Sequence, residues 1–89
     1  MKRYLIIFSG IVQGVGFRWT ILSIARSLNV TGYVKNLLNG TVQVEIQGKQ
    51  AEIDEFIRQC YANQRFVRID DYSMKEIEVE QHESGFSVH

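Results

Sequence analysis

Residues 10–20 read GIVQGVGFRWT. Gly10, Gly14 and Gly16 stand among apolar residues, and the run leads to Arg18. Such a stretch can hold an anion. Glycines let a backbone turn through positive φ and approach a ligand without a Cβ in the way. The amides at a helix start lack helical partners and point outward, and the helix dipole adds partial positive charge there. An arginine at the end of the turn can fork onto two anion oxygens. The same residues also fit a tight strand-to-helix turn with an incidental arginine. Two familiar phosphate motifs are excluded. A P-loop needs Gly-Lys-Ser/Thr, whereas Gly16 is followed by Phe17-Arg18; the dinucleotide fingerprint has another glycine spacing and needs a larger sheet.

The elements that would position this stretch are readable from the pattern. Tyr4–Ser9 is a short β-rich apolar run and predicts a central strand. From Phe17 to Asn29, Ile21, Leu22, Ala25 and Leu28 recur at helical spacing. Thr31–Leu37 and Thr41–Gln47 predict a hairpin around Asn39-Gly40, a strong turn signal. In its second strand Val42, Val44 and Ile46 alternate with Gln43, Glu45 and Gln47. A two-residue turn would pair Asn36 with Gln43 and put Asn36 on the sheet face away from the helices. Ala51–Asn63 predicts a second amphipathic helix, with Ile53, Phe56, Ile57 and Cys60 on one stripe. A strand is expected over Ser73–Glu80, and a short last one can form over Phe86–Val88. The order is β-α-β-β-α-β with a short fifth strand. This predicts an α+β, ferredoxin-like sandwich: an antiparallel sheet with both helices on one face.

Composition narrows the classes of function. The chain has 89 residues, 45% hydrophobic and 22% charged, which predicts a single globular domain over residues 1–89. The longest clearly apolar run, Tyr4–Phe8, is far shorter than the ~20 residues of a membrane span. Met1-Lys2-Arg3 precedes it, but no small-residue cleavage site follows, so a buried strand is the better reading than a signal peptide. Cys60 is the sole cysteine and has no internal disulfide partner, in keeping with a reducing cytoplasm. No Cys/His cluster has zinc-ligand spacing, and His82 and His89 lie in the tail. Net charge is zero but uneven. Residues 1–48 carry five basic side chains and one acidic, a balance of +4; residues 49–89 carry five basic and nine acidic, a balance of −4. A positive field around the glycine stretch, or a solvated acidic face elsewhere, explains this equally well. No basic run is present, which argues against nucleic acid.

Gly10–Arg18, GIVQGVGFR, resembles the signature of the acylphosphatase family, G-x-V-Q-G-V-x-F-R. A second family block, G-[WY]-V-x-N followed by Gly-x-V, is matched by Gly32–Asn36 and Gly40–Val42. The resemblance implies metal-free, cofactor-free hydrolysis of the carboxyl–phosphate bond in small acyl phosphates. Carried over by position, it implies a phosphate on the backbone amides of Gln13, Gly14, Val15, Gly16, Phe17 and Arg18. The Arg18 guanidinium would clamp the phosphate, and Asn36 would orient the attacking water. From its residue type alone, Asn36 reads as a strand-end turn cap. Phosphoryl transfer from a mixed anhydride depends on positioning and charge stabilisation, so amides and one arginine suffice. The expected partner is the small acyl phosphate itself, with no nucleic acid and no membrane, and nothing in the chain demands more than a monomer. A non-enzymatic phosphate-binding module on the same fold is the rival reading. Leu37, Asn39 and the Phe86–His89 ending depart from the family pattern. Cys60 is expected to be packing, and Phe17 and Trp19 core or rim packing.

Overall fold

The computed structural model describes residues 1–14 and 16–89. β1 (Lys2–Ile11) leads through the glycine loop into α1 (Phe17–Arg26). β2 (Thr31–Asn36) and β3 (Val42–Gly48) form the hairpin, followed by α2 (Gln50–Ala62), β4 (Arg68–Ile77) and β5 (Phe86–Val88). The sheet runs β4-β1-β3-β2-β5. Its first four strands are antiparallel, as expected, and β5 joins β2 in parallel, so the sheet is mixed.

Alternation explains the layers. Ile6 and Phe8 of β1, Val34 of β2 and Val42, Val44 and Ile46 of β3 point to one face and are buried. They meet Phe17, Ile21, Leu22, Ile24 and Ala25 of α1 and Ile53, Phe56 and Cys60 of α2 in one core. Burying each large apolar side chain contributes about 1.5–3 kcal/mol. Cys60 is fully buried, and burial alone pushes its thiol up to about 12, so packing is its role.

Besides β1, which runs two residues past Tyr4–Ser9 at each end, and α2, shifted by one residue, three boundaries differ from the sequence pattern. α1 ends at Arg26, where Ser27 closes the last turn by donating from Oγ to the Ile24 carbonyl at 2.7 Å. β4 spans Arg68–Ile77, earlier than expected. It is an edge strand with mostly exposed side chains, so its extent follows the backbone pairing with β1 rather than any alternation.

The hairpin is the third. Asn36 pairs with Val42, not with Gln43, and residues 37–41 form the turn. Asn39 does not adopt positive φ, which a type I′ turn requires. Its Oδ1 instead accepts from the Thr41 backbone N–H at 3.1 Å and the Thr41 hydroxyl at 2.6 Å. A one-residue change of register moves a side chain to the other face. Asn36 therefore shares the helix-covered face with Val34 and Val42, and the open-face expectation is corrected.

The crossover from β4 to β5 passes the end of the sheet where β1 begins and β3 ends. Buried Arg3 anchors it with a fork onto Glu83, Nη1 to Oε1 at 2.7 Å and Nη2 to Oε2 at 3.1 Å. Gln47 adds two hydrogen bonds to the Glu80 backbone, donating to its carbonyl and accepting from its N–H.

Candidate active site

The glycine stretch leaves the end of β1 and enters α1 at Gly16. Gly14 and Gly16 have φ of 85° and 80°, left-handed conformations that a side chain disfavours, and the space where a Cβ would stand is open at both. Gly16 is the N-cap of α1, and its carbonyl accepts from the amides of Trp19 and Thr20, both at 3.1 Å. Helical hydrogen bonding thus begins at Trp19. The amides of Phe17 and Arg18 have no partner within the helix. No acidic residue lies in the first turn to compete for the positive end of the dipole.

A cavity of about 290 Å³ opens at this point. Gln13, Gly14, Gly16, Phe17, Arg18 and Asn36 line it together with Val12 and Trp19. The structure therefore brings together every site residue expected from the sequence except Val15, which lies outside the described residues. Asn36 reaches the cavity because of its register, since the helix-covered face is also where α1 begins. Its Oδ1 is buried without a hydrogen-bond partner among the described residues. An orphaned buried acceptor is costly, and in a cavity wall it suits a molecule that brings a proton to donate.

The Gln13 side chain does something the sequence did not suggest. Its Nε2 donates to the carbonyls of Leu37 at 2.7 Å and Thr41 at 2.8 Å. This ties the loop to the hairpin turn just beyond Asn36. Phe17 is in the core, edge-on to Phe8 with ring centroids 5.8 Å apart, so only its backbone is free for a ligand. Arg18 donates from Nη1 to the main-chain oxygen of His89 at 2.7 Å. Nothing in residue spacing announces that link across 71 positions. The stack of the Tyr33 ring on His89, which holds the acceptor in place, is equally invisible in the sequence.

A larger depression, about 850 Å³, lies over the open sheet face beside Arg3, Tyr33 and residues 78–83. Glu45, Glu78, Glu80 and Glu83 surround it, and Arg3 is already paired with Glu45 and Glu83. That charge repels phosphate. The smaller cavity has Arg18, helix-start amides and no carboxylate in its wall, so electrostatics selects it for an anion. No group of three or more His, Cys, Asp or Glu that could hold a metal occurs among the described residues, and no helix there is long and apolar enough to cross a membrane.

Comparison with known proteins agrees with the motifs. A family model described as Acylphosphatase matches residues 4–88. An acylphosphatase of Clostridium acetobutylicum is 39% identical over 88 residues, covering 99% of this chain and 97% of the relative. One of Chlorobaculum tepidum is 44% identical over 79 residues, covering 89% and 86%. The crystal structure of acylphosphatase from Bacillus subtilis superposes with a TM-score of 0.93 at 30% identity, covering 100% of this chain and 99% of that one.

Proposed function

Since the chain belongs to the acylphosphatase family, a family of hydrolases acting on small acyl phosphates, we propose that residues 13–18 cradle the substrate phosphate, that Arg18 clamps it and that Asn36 places the attacking water. The observation that carries this reading is the shared cavity. Unpaired helix-start amides, the Arg18 guanidinium and the orphaned Asn36 Oδ1 all border one space of about 290 Å³.

The chemistry needs little more. The phosphoryl oxygens rest on the amides of Gln13, Gly14, Val15, Gly16, Phe17 and Arg18, in the positive end of the α1 dipole. Arg18 neutralises charge on the equatorial oxygens as the transition state spreads it. Asn36 Oδ1 accepts a hydrogen bond from the water and aims its lone pair at phosphorus. The new bond forms between water oxygen and phosphorus. The bond between phosphorus and the acyl oxygen breaks, and the electron pair leaves with the carboxylate. The proton released by the water is taken up by the products. A carboxylate leaves readily, so no general acid is required, and in this scheme neither a metal nor another cofactor takes part. We further read residues 1–89 as one domain that acts as a monomer in the cytoplasm.

Hydrolysis of benzoyl phosphate, followed by absorbance with a chelator present, tests the reading. Wild-type turnover should survive the chelator, and Arg18→Ala should lose about 10²-fold or more in kcat/KM, as removal of an oxyanion donor does. Near-normal turnover by folded Arg18→Ala protein would remove Arg18 from the mechanism.

A further inference from the structure

Trp19 stands where the core has no use for it. The buried stripe of α1 is Phe17, Ile21, Leu22, Ile24 and Ala25. Trp19 falls on the opposite stripe with Ser23 and Arg26, both exposed, and is itself 62% exposed. A solvent-facing helix position is ordinarily filled by a polar residue or a strong helix former, and tryptophan is neither. Yet Trp19 lines the same cavity as Arg18 and Asn36. The other large apolar residues in that wall, Val12 and Phe17, are 1% and 2% exposed. Among the described residues of that wall, Trp19 is thus the one with a broad apolar surface left for a ligand.

Cavity size points the same way. At about 290 Å³ the cavity lies at the lower end of the roughly 300–1,000 Å³ typical of small-molecule pockets. Among the described residues of its wall, the accessible apolar plane is an indole. Other exposed apolar side chains gather at this end of the molecule. Ile11 closes β1 immediately before the loop, opposite Arg68, and Phe66 lies two residues before Arg68. Leu38 sits in the turn that Gln13 holds. None of the three lines the cavity, and scattered single apolar residues need no explanation, so Trp19 alone carries the argument.

We infer that Trp19 forms an acyl-group subsite, its indole packing against the aromatic or bulky apolar acyl portion of a substrate whose phosphate lies in the loop. The inference rests on the hydrolase reading above. Trp19 and Arg18 line the same cavity, so a phosphate held by Arg18 leaves the acyl group within that space beside the indole. Aromatic packing of this kind favours an aromatic acyl group by a factor of about 2–10. It makes the enzyme selective for aromatic over small acyl groups.

The experiment compares kcat/KM for benzoyl phosphate and acetyl phosphate in wild type, Trp19→Ala and Trp19→Phe. The expected result is a fall of about tenfold in the benzoyl-to-acetyl ratio for Trp19→Ala, carried mainly by KM, with most of the ratio restored by Trp19→Phe. An unchanged ratio, or an equal loss on both substrates, overturns the inference and leaves the hydrolase reading intact. Failure of the wild type to hydrolyse either compound overturns the hydrolase reading, and the subsite with it.

Discussion

Arg18 and His89 are joined by a single hydrogen bond, Nη1 to the main-chain oxygen at 2.7 Å, which links the first turn of α1 to the segment after β5. His89 is itself held on several sides. Its N–H donates to the Val34 carbonyl at 2.8 Å, its ring stacks on Tyr33 with centroids 4.9 Å apart and planes 6° from parallel, and Nε2 lies 3.1 Å from the Ser87 hydroxyl. Tyr33 is fixed in turn. Its phenol donates to Glu45 and accepts from Gln43 Nε2, and Glu45 accepts from Arg3 Nε at 3.0 Å. Burial first, and then the bond to Glu45, push the Tyr33 phenol up from its ordinary pKa, so it remains a donor.

On the proposed reading of Arg18, that arrangement predicts Tyr33 to be a positioning residue for it. Tyr33→Leu removes the stack, worth about 0.5–1.5 kcal/mol, which corresponds to a factor of about 2–10. The expected outcome is that KM and the inhibition constant of inorganic phosphate both rise by about that factor, with kcat little changed. Tyr33→Phe keeps the ring and should recover most of the affinity. A drop in Tm with no change in phosphate inhibition would show that the stack serves the fold alone.

Asn36 should separate stability from activity. Its Oδ1 is buried without a partner among the described residues, and such an orphan costs about 1–3 kcal/mol. Asn36→Ala removes that cost, so denaturant unfolding should show equal or greater stability. Loss of the group proposed to place the water should nevertheless lower kcat by about 10²-fold. A variant less stable and fully active would assign Asn36 to the fold instead.

The Arg3–Glu83 pair predicts sensitivity to acid. The Arg3 hydrogen bond holds the Glu83 carboxyl below its ordinary value. Because the folded-state pKa is depressed, the stabilisation is fully present above the unfolded value of about 4.3 and is lost as pH falls through the lower folded value. Glu83→Gln should cost about 1.5–3 kcal/mol at neutral pH, the range for a hydrogen bond to a charged group. It should also flatten the decline of Tm below about pH 4.5. Glu55 is held even lower, at about 2, by Arg58, but that pair is exposed and screened by salt. Glu55→Gln should therefore leave the acid profile close to wild type. Identical profiles for wild type and Glu83→Gln would rule out the pair as the source.

The sequence by itself determined whatever depends on neighbours along the chain. The glycines, the arginine and the apolar periodicities lie within a few residues of one another, so the loop, both helices and the first three strands were legible without coordinates. The family motif then pointed to Arg18 and Asn36. Tertiary structure decided what depends on pairing between distant segments. Asn39-Gly40 reads as a two-residue turn, but the Asn39 side chain caps Thr41 instead, and the resulting register turns Asn36 toward the start of α1. The bounds of β4 followed β1 because an edge strand exposed to solvent carries little alternation of its own. The parallel seat of β5, the grip of Gln13 on the hairpin turn and the bond from Arg18 to His89 arise only when the sheet closes. Local conformational preference acts over a few residues, whereas register and long-range hydrogen bonds are chosen by the packing of the whole sheet.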